Sequence, residues 1–355
     1  MSTATCRLLP YPVHVGRGLL QTVQDLVPEL RVAHRIAIIT DDNIGPRYAR
    51  RLTDALGDDR TVVVSVAPGE MYKTRETWAR ITDVLLNARL GRDSIVIALG
   101  GGVIGDLAGF VASTFMRGIP IVQAPTTLLA MVDASIGGKT GVDTDQGKNL
   151  VGSFHPPLAV ISDLETLDSL PPPELVNGLA EALKHGVVAD AEYFDAVANM
   201  DLDAPDWRAL VFRSVEIKAG VVAADEREAG LRKVLNYGHT IGHAVERLME
   251  FTVPHGACIA YGMLVEARIG VALGLSEPPL VPALLSALER FGLPTSRPAP
   301  LTAESIVDAT AGDKKSRGGT VEYALPARCG AMSGEDRGYG TAVSRAVAVA
   351  ALQIP

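Results

Sequence analysis

Of the seven histidines in this 355-residue chain, three fall between positions 239 and 255. The segment Asn236-Tyr-Gly-His239-Thr-Ile-Gly-His243-Ala-Val-Glu246 sets two imidazoles four residues apart, and His255 follows in Val253-Pro-His-Gly256. Upstream, Gly178-Leu-Ala-Glu181-Ala-Leu-Lys184-His185 offers a carboxylate and a lysine three residues apart. Positions three and four apart share one face of a helix, so each segment can aim two polar side chains into one cavity. Two or three imidazoles plus a carboxylate make the ligand set of a catalytic Zn²⁺ that keeps one position open. Thr240 stands where the metalloprotease motif needs a glutamate base, which excludes that class. A lone histidine on a helix is more often exposed or satisfied in the core than a ligand. Three together, each beside a glycine or small residue, favour a metal. The spacing leaves open which imidazoles bind and which carboxylate completes the set.

A second chemistry lies in the first half. Gly100-Gly-Gly-Val-Ile-Gly-Asp106 follows an apolar run and precedes an apolar helix, Leu107 to Met116. Glycines let a backbone approach a phosphate, and a helix N-terminus supplies free N–H groups. The spacing matches neither the dinucleotide fingerprint nor a P-loop, so a plain strand-to-helix turn competes. Two further loops favour a nucleotide, because Asp41 with Asn43, and Gly69-Glu70-x-x-Lys73, can each bond ribose or base. Basic residues stand out in an acidic chain: Lys139 after Gly137-Gly138, Lys148-Asn149, Lys218, Arg232, Asn236, and the Lys314/Lys315 pair. They are candidates for a phosphate and carboxylate site. Singly, each is more ordinary as a solvated surface charge, and Lys139 and Lys148, flanked by glycine, are the hardest to dismiss.

The elements that must carry these groups change character along the chain. Strand-like runs at 35–40, 60–66, 93–99, 119–124 and 158–163 alternate with helical stretches, the pattern of a parallel α/β sheet. Each polar loop named above sits at the carboxyl end of such a run, where open α/β sheets bind ligands. Past Pro171-Pro172-Pro173 helical periodicity dominates, at 174–190, 204–224, 238–250, 257–274 and 279–291. The expectation is an α/β nucleotide-binding domain with a parallel sheet over 1–168, followed by an all-α metal- and substrate-binding domain over 169–355.

Composition narrows the function classes. The chain is 47% apolar and 21% charged with a net charge of −8, which argues against nucleic-acid or membrane-surface partners. It lacks an uninterrupted apolar stretch of about 18 residues, so no membrane span is expected. Cys6, Cys258 and Cys329 are odd in number without metal-like spacing, and the N-terminus lacks a signal-peptide pattern. A cytoplasmic location is expected.

Taken together, these segments resemble the 3-dehydroquinate synthase family of sugar-phosphate cyclases. The resemblance runs from Pro68-Gly-Glu-x-x-Lys73 to Asp313-Lys-Lys315 and is most specific at Gly100 to Ala112, Pro125-Thr-Thr-Leu-Leu129, Val132 to Gly141, Gly147-Lys-Asn149, Ala180-Glu-Ala-Leu-Lys184, Asp225-Glu-Arg-Glu228 and Leu235 to His243. It implies metal ligands at Glu181, His239 and His255, which sets His185 and His243 aside as ligands, and an ion that is Zn²⁺ or Co²⁺. It implies an NAD site from Asp41, Asn43, Glu70, Lys73, Gly101, Gly102, Val103, Ile104, Gly105, Asp106, Thr126, Thr127, Lys148, Thr166, Leu167, Asp168, Ser169 and Asn177. Substrate contacts are implied at Asp133, Lys139, Asn149, Arg232, Lys314 and Lys315, with Arg117 donated across a homodimer interface. Lys184, Lys218, His243, Asn236 and Glu228 are implied as catalytic. Two positions depart from the family pattern: Ala257 replaces a usual glutamate after His255-Gly256, and His185 stands where tyrosine is common.

The activity so implied is cyclisation of a heptulosonate phosphate, with NAD⁺ taking a hydride and returning it after phosphate has left. Lys139, Asn149, Arg232 and His243 would hold the phosphate, with Lys184 and Lys218 near the hydroxyls and carboxylate. The rival readings are a cyclase for another sugar phosphate, a metal-dependent alcohol dehydrogenase of related fold, and an inactive binding protein descended from the enzyme. The Lys314/Lys315 pair and Asn236 favour a carboxylate-bearing substrate.

Overall fold

The computed structural model describes residues 3–310 and 321–354, so Lys314 and Lys315 lie outside the described residues. The chain divides into two compact units, one of Met1–Pro171 with Trp207–Ala219, the other of Pro172–Asp206 with Gly220–Pro355. The division is therefore not contiguous in sequence.

In the first unit the strands are β1 (Ala4–Cys6), β2 (Val13–Gly16), β3 (Ile36–Asp41), β4 (Thr61–Val66), β5 (Ile95–Gly100), β6 (Ile121–Pro125), β7 (Lys139–Thr144), β8 (Gly147–Phe154) and β9 (Ala159–Asp163). Seven of them form one sheet in the order β1-β2-β9-β6-β5-β3-β4. Every pairing in it is parallel except the edge pair β1–β2. The middle strands are runs of β-branched and aliphatic residues because both faces are covered. Ile36, Ile38, Ile97 and Leu99 enter one apolar cluster, while Ala37, Ile39, Val96 and Ala98 enter another. That alternation is the period-two signature of a strand buried on both sides. Helices α1 (Val23–Leu26), α2 (Glu29–Val32), α3 (Arg50–Leu56), α4 (Arg75–Asn87) and α5 (Gly102–Thr114) connect the strands. Thr74 caps α4, its side chain accepting the Thr77 N–H. The strands β7 and β8 pair as a separate antiparallel hairpin. In sequence this stretch has the look of glycine- and lysine-bearing loops, because glycine and lysine weaken the strand signal.

The second unit is mostly helical: α6 (Pro172–Ala189), α7 (Ala191–Ala198), the end of α8 (Trp207–Ala224), α9 (His239–Leu248), α10 (His255–Ala272), α11 (Leu280–Arg290), α12 (Ala303–Thr310) and α13 (Arg345–Leu352). It is not wholly α, since β10 (Glu322–Tyr323) pairs with β13 (Thr341–Ala342) and β11 (Pro326–Arg328) with β12 (Ala331–Met332). Strands of two or three residues are too short to show a period in the sequence. Among the described residues no helix is long and apolar enough to cross a membrane, and all three cysteines are free thiols.

Candidate active site

Three helices of the second unit bring a carboxylate and three imidazoles together. Glu181 lies on α6, is fully buried, and has Lys184 one turn away with its ammonium on Oε2. Its other oxygen, Oε1, lies 3.5 Å from Nε2 of His239 and 3.6 Å from Nε2 of His255. Hydrogen bonds of this type fall at about 2.7–3.2 Å. Two ligand atoms of one tetrahedral ion with bonds of about 2.0–2.2 Å sit roughly 3.3–3.6 Å apart. The observed spacing falls in the range of two ligand atoms on one ion.

Local geometry explains why these nitrogens converge. His239 and His255 are the first residues of α9 and α10. A Cβ on Gly262 of α10 would collide with the Gly238 carbonyl, so only glycine allows the two helices to approach this closely. Nδ1 of His239 donates to the Tyr237 carbonyl at 3.0 Å, which makes Nε2 the nitrogen that can coordinate. His243, one turn along α9 and exposed, has its ring centroid 5.0 Å from that of His239 and 5.8 Å from that of His255. The structure thus brings all three imidazoles into one potential metal cluster. Burial pulls the His255 imidazole down, but Glu181 and Glu246 outweigh it and push its pKa up to about 9.

Other expected residues of this unit stand on the same helices or the loop before α9. Asn177 uses its side-chain oxygen to accept the Gly256 N–H beside His255, and its amide reaches Glu174 at 3.3 Å. Asn236 donates to Glu228 at 2.6 Å, joining two of the expected catalytic groups. Arg232 is buried and donates to the Glu226 carbonyl. The loop holding it is organised by Asp225, which accepts the N–H groups of Ala229, Gly230 and Arg232. His185 is fully buried in α6. Ala257 leaves no carboxylate after His255-Gly256, and Glu246 brings one to the His255 ring instead.

In the first unit, Lys218 donates to both the backbone and the carboxylate of Asp133, at 2.7 and 2.8 Å. Lys73 is buried and bonds Asp106 at 2.6 Å with Glu70 at 3.7 Å, while Lys148 reaches Glu70 at 3.4 Å. Burial pulls Lys73 down, yet Asp106 and Glu70 overcome it and hold the ammonium above its usual range. Lys139 is exposed at the start of β7. Asn149, in the left-handed region at φ 54°, gives its N–H to Asp143 at 2.9 Å. Arg117 is exposed, with φ 70°, directly after Met116 at φ 50°.

The nucleotide loops sit at carboxyl ends of strands. Gly101 caps α5 without any side-chain bond, so Gly102, Val103, Ile104 and Gly105 begin a helix with no side-chain cap on its first N–H groups. Thr126, at the end of β6, has a buried hydroxyl with no hydrogen-bond partner among the described residues, and Thr127 follows with its hydroxyl on the Ala130 N–H. An uncapped helix start and an orphaned hydroxyl fit a bound dinucleotide. Other expected contacts are engaged internally. Asp41 accepts the N–H groups of Asn43 and Ile44, Thr166 donates to the Asp163 carbonyl, Leu167 is in the core, Asp168 pairs with Arg17, and Ser169 bonds Tyr48 at 2.6 Å.

Two carboxylates in these networks are not singled out by the sequence motifs. Asp143 joins the Lys73 loop to the hairpin, taking the Asn149 N–H on its side chain while its own N–H goes to the Lys73 carbonyl at 2.7 Å. Nothing in the sequence marks it, since the link exists only through hairpin register. Glu246 ends the histidine segment, and its place one turn past His243 is the available signal.

The comparisons with known proteins bear on the whole chain. The family profile described as 3-dehydroquinate synthase N-terminal matches residues 63–177, and the one described as 3-dehydroquinate synthase C-terminal matches 178–316. The chain belongs to the 3-dehydroquinate synthase family. Enzymes of this family are carbon–oxygen lyases. A 3-dehydroquinate synthase of Symbiobacterium thermophilum is 46% identical over 332 residues, covering 90% of this chain and 92% of the relative. Among solved structures, the 2-epi-5-epi-valiolone synthase of Streptomyces hygroscopicus subsp. jinggangensis 5008, with NAD⁺ and Zn²⁺ bound, matches at TM-score 0.86 and 26% identity over 99% of this chain and 98% of that one. A 2-deoxy-scyllo-inosose synthase complexed with carbaglucose-6-phosphate, NAD⁺ and Co²⁺ matches at TM-score 0.89 and 24% identity over 99% of both, a likeness of fold.

Proposed function

We propose that this chain converts 3-deoxy-D-arabino-heptulosonate 7-phosphate to 3-dehydroquinate and phosphate, as its family does in the shikimate pathway. The observation that carries the site is the placing of Glu181 Oε1 between the Nε2 atoms of His239 and His255. Those three residues would hold the divalent ion, and the glycine loop with Thr126 would hold NAD. When bound, the ion would supply Lewis acidity at the substrate hydroxyls and the nicotinamide a reversible hydride acceptor.

The remaining tasks fall to this chain's own groups. Lys184, held against Glu181, keeps an ammonium beside the ion's carboxylate ligand and offers it to a substrate oxygen. Lys218 paired with Asp133 provides a second cation whose direction is fixed by two bonds. Arg232 and Lys139 would bind the anionic groups, and His243, exposed beside the two ligands, would move protons. Orientation is a large share of the work, because one conformer must persist through oxidation, loss of phosphate, reduction and ring closure. The reading extends to a homodimer in which Arg117 serves its partner's site, and to the cytoplasm, in keeping with three free thiols.

Redox stoichiometry tests the proposal. With the heptulosonate phosphate and catalytic NAD⁺, one phosphate is expected per substrate with no accumulating NADH. NADH rising in step with substrate consumption, with phosphate retained, would reject the cyclase in favour of a dehydrogenase.

A further inference from the structure

Two buried carboxylates link the imidazole-bearing helices crosswise. Glu246 stands on α9, is 5% exposed, and sets Oε2 3.4 Å from Nδ1 of His255, the first residue of α10. Glu266 stands on α10, is fully buried, and accepts the N–H groups of Gly238 at 2.7 Å and Ile241 at 3.1 Å. Those two amides flank His239, the first residue of α9. Helix α9 therefore supplies the acid at the imidazole that begins α10, and α10 supplies the acid at the main chain around the imidazole that begins α9.

Glutamate is rarely buried without a specific partner, and both of these have one placed where a ligand must be aimed. A carboxylate at Nδ1 favours a proton on that nitrogen, so Nε2 of His255, 3.6 Å from Glu181 Oε1, is the nitrogen left for a ligand bond. A carboxylate at a helix start is favoured by the amide dipoles, and this one pins the main chain from which His239 projects. The His239 ring is in turn aimed by the Tyr237 carbonyl, which belongs to the same pinned turn.

We propose that Glu246 and Glu266 are positioning residues that preset the His239–His255 separation for a divalent ion. The inference rests on the metal reading above. It goes further in assigning the preset geometry to two residues outside the proposed ligand set.

The test uses full-length protein stripped of metal. Zn²⁺ affinity is read by competition with a chromophoric chelator, the ligand field by the visible spectrum of the Co²⁺ form, and integrity by thermal melting of the apoprotein. E246A is expected to lose roughly tenfold to hundredfold in Zn²⁺ affinity, the range for removing a ligand's hydrogen-bond partner. E246Q, which keeps an acceptor but not the charge, should fall between, with altered Co²⁺ bands and apoprotein melting close to wild type. E266Q should lower affinity and apoprotein stability together, and if it fails to fold the two position-246 variants decide. Wild-type affinity and Co²⁺ spectrum in both of those variants overturn the inference. So does an affinity loss in E246A and E246Q accounted for entirely by lowered apoprotein stability. A wild-type chain that takes up neither ion overturns the metal reading itself, and the brace with it.

Discussion

The two ion-pair networks of this protein, one around Glu181 and one around Lys73, are built on opposite plans. Around Glu181 the groups come from regular helices, each side chain sits at a helix start or along a helix face, and glycine contacts fix the helix spacing. Around Lys73 the groups come from a loop, a helix and a hairpin, joined by the bonds they make with one another. The first plan leaves one carboxylate oxygen within 3.6 Å of two imidazole nitrogens. The second satisfies its own charges and so gives stability as well as a binding surface. Rigid elements hold a site that must stay open, while a loop site is held by neutralising itself.

Breaking the first network should have the largest effect. Glu181→Ala removes the carboxylate that the two Nε2 atoms share, and metal affinity should fall beyond the roughly hundredfold that loss of an outer partner costs. Elemental analysis after dialysis reads the outcome. A variant that retains a full equivalent of metal would move the site to the three imidazoles and make His243 a ligand.

Breaking the second should cost folding rather than metal. Lys73→Met leaves Asp106 and Glu70 without this buried cation, and such a break typically costs about 3 kcal/mol or more. Urea unfolding measures it, and metal content should not change. Equal losses of metal and stability would erase the contrast between the two plans.

The finest distinction is in pH. Burial, with Glu70 sharing a hydrogen bond, raises the Asp143 carboxyl from 3.8 to about 6, against the opposing pull of Lys73. A carboxyl raised on folding adds stability below its unfolded pKa, and that contribution disappears as pH climbs through the folded value. The wild type should therefore lose stability relative to Asp143→Asn between about pH 4 and pH 7. Parallel pH profiles for the two proteins would show that the carboxyl titrates normally.

The same contrast explains what is legible in the sequence. Spacing on a helix maps directly to a face, so Glu181 with Lys184 and His239 with His243 stand out as pairs in the bare string of residues. The buried strands stand out too, as continuous β-branched runs. Asp143 and Glu266 do not, because Asp143 meets the Lys73 loop only through the register of the hairpin, and Glu266 acts on amides at the start of another helix. The hairpin at 139–154 is hidden by its glycines and lysines. In the expected NAD segment Thr166–Ser169, the bonds of Thr166 to Asp163, Asp168 to Arg17 and Ser169 to Tyr48 are details that composition does not carry.

The turn at Met116 and Arg117 places a choice before anyone engineering this protein. Both residues adopt left-handed backbone, with Gly118 following at φ 112°, and each non-glycine there costs about 1 kcal/mol. A search for thermostable variants will therefore favour glycine at both positions, and the two gains will look alike in a melting assay. They are not alike in what they discard. Position 116 gives up an exposed apolar side chain, whereas position 117 gives up an exposed arginine. Selection on stability alone would drift towards the second loss unnoticed, so heat tolerance and turnover have to be scored together at this turn.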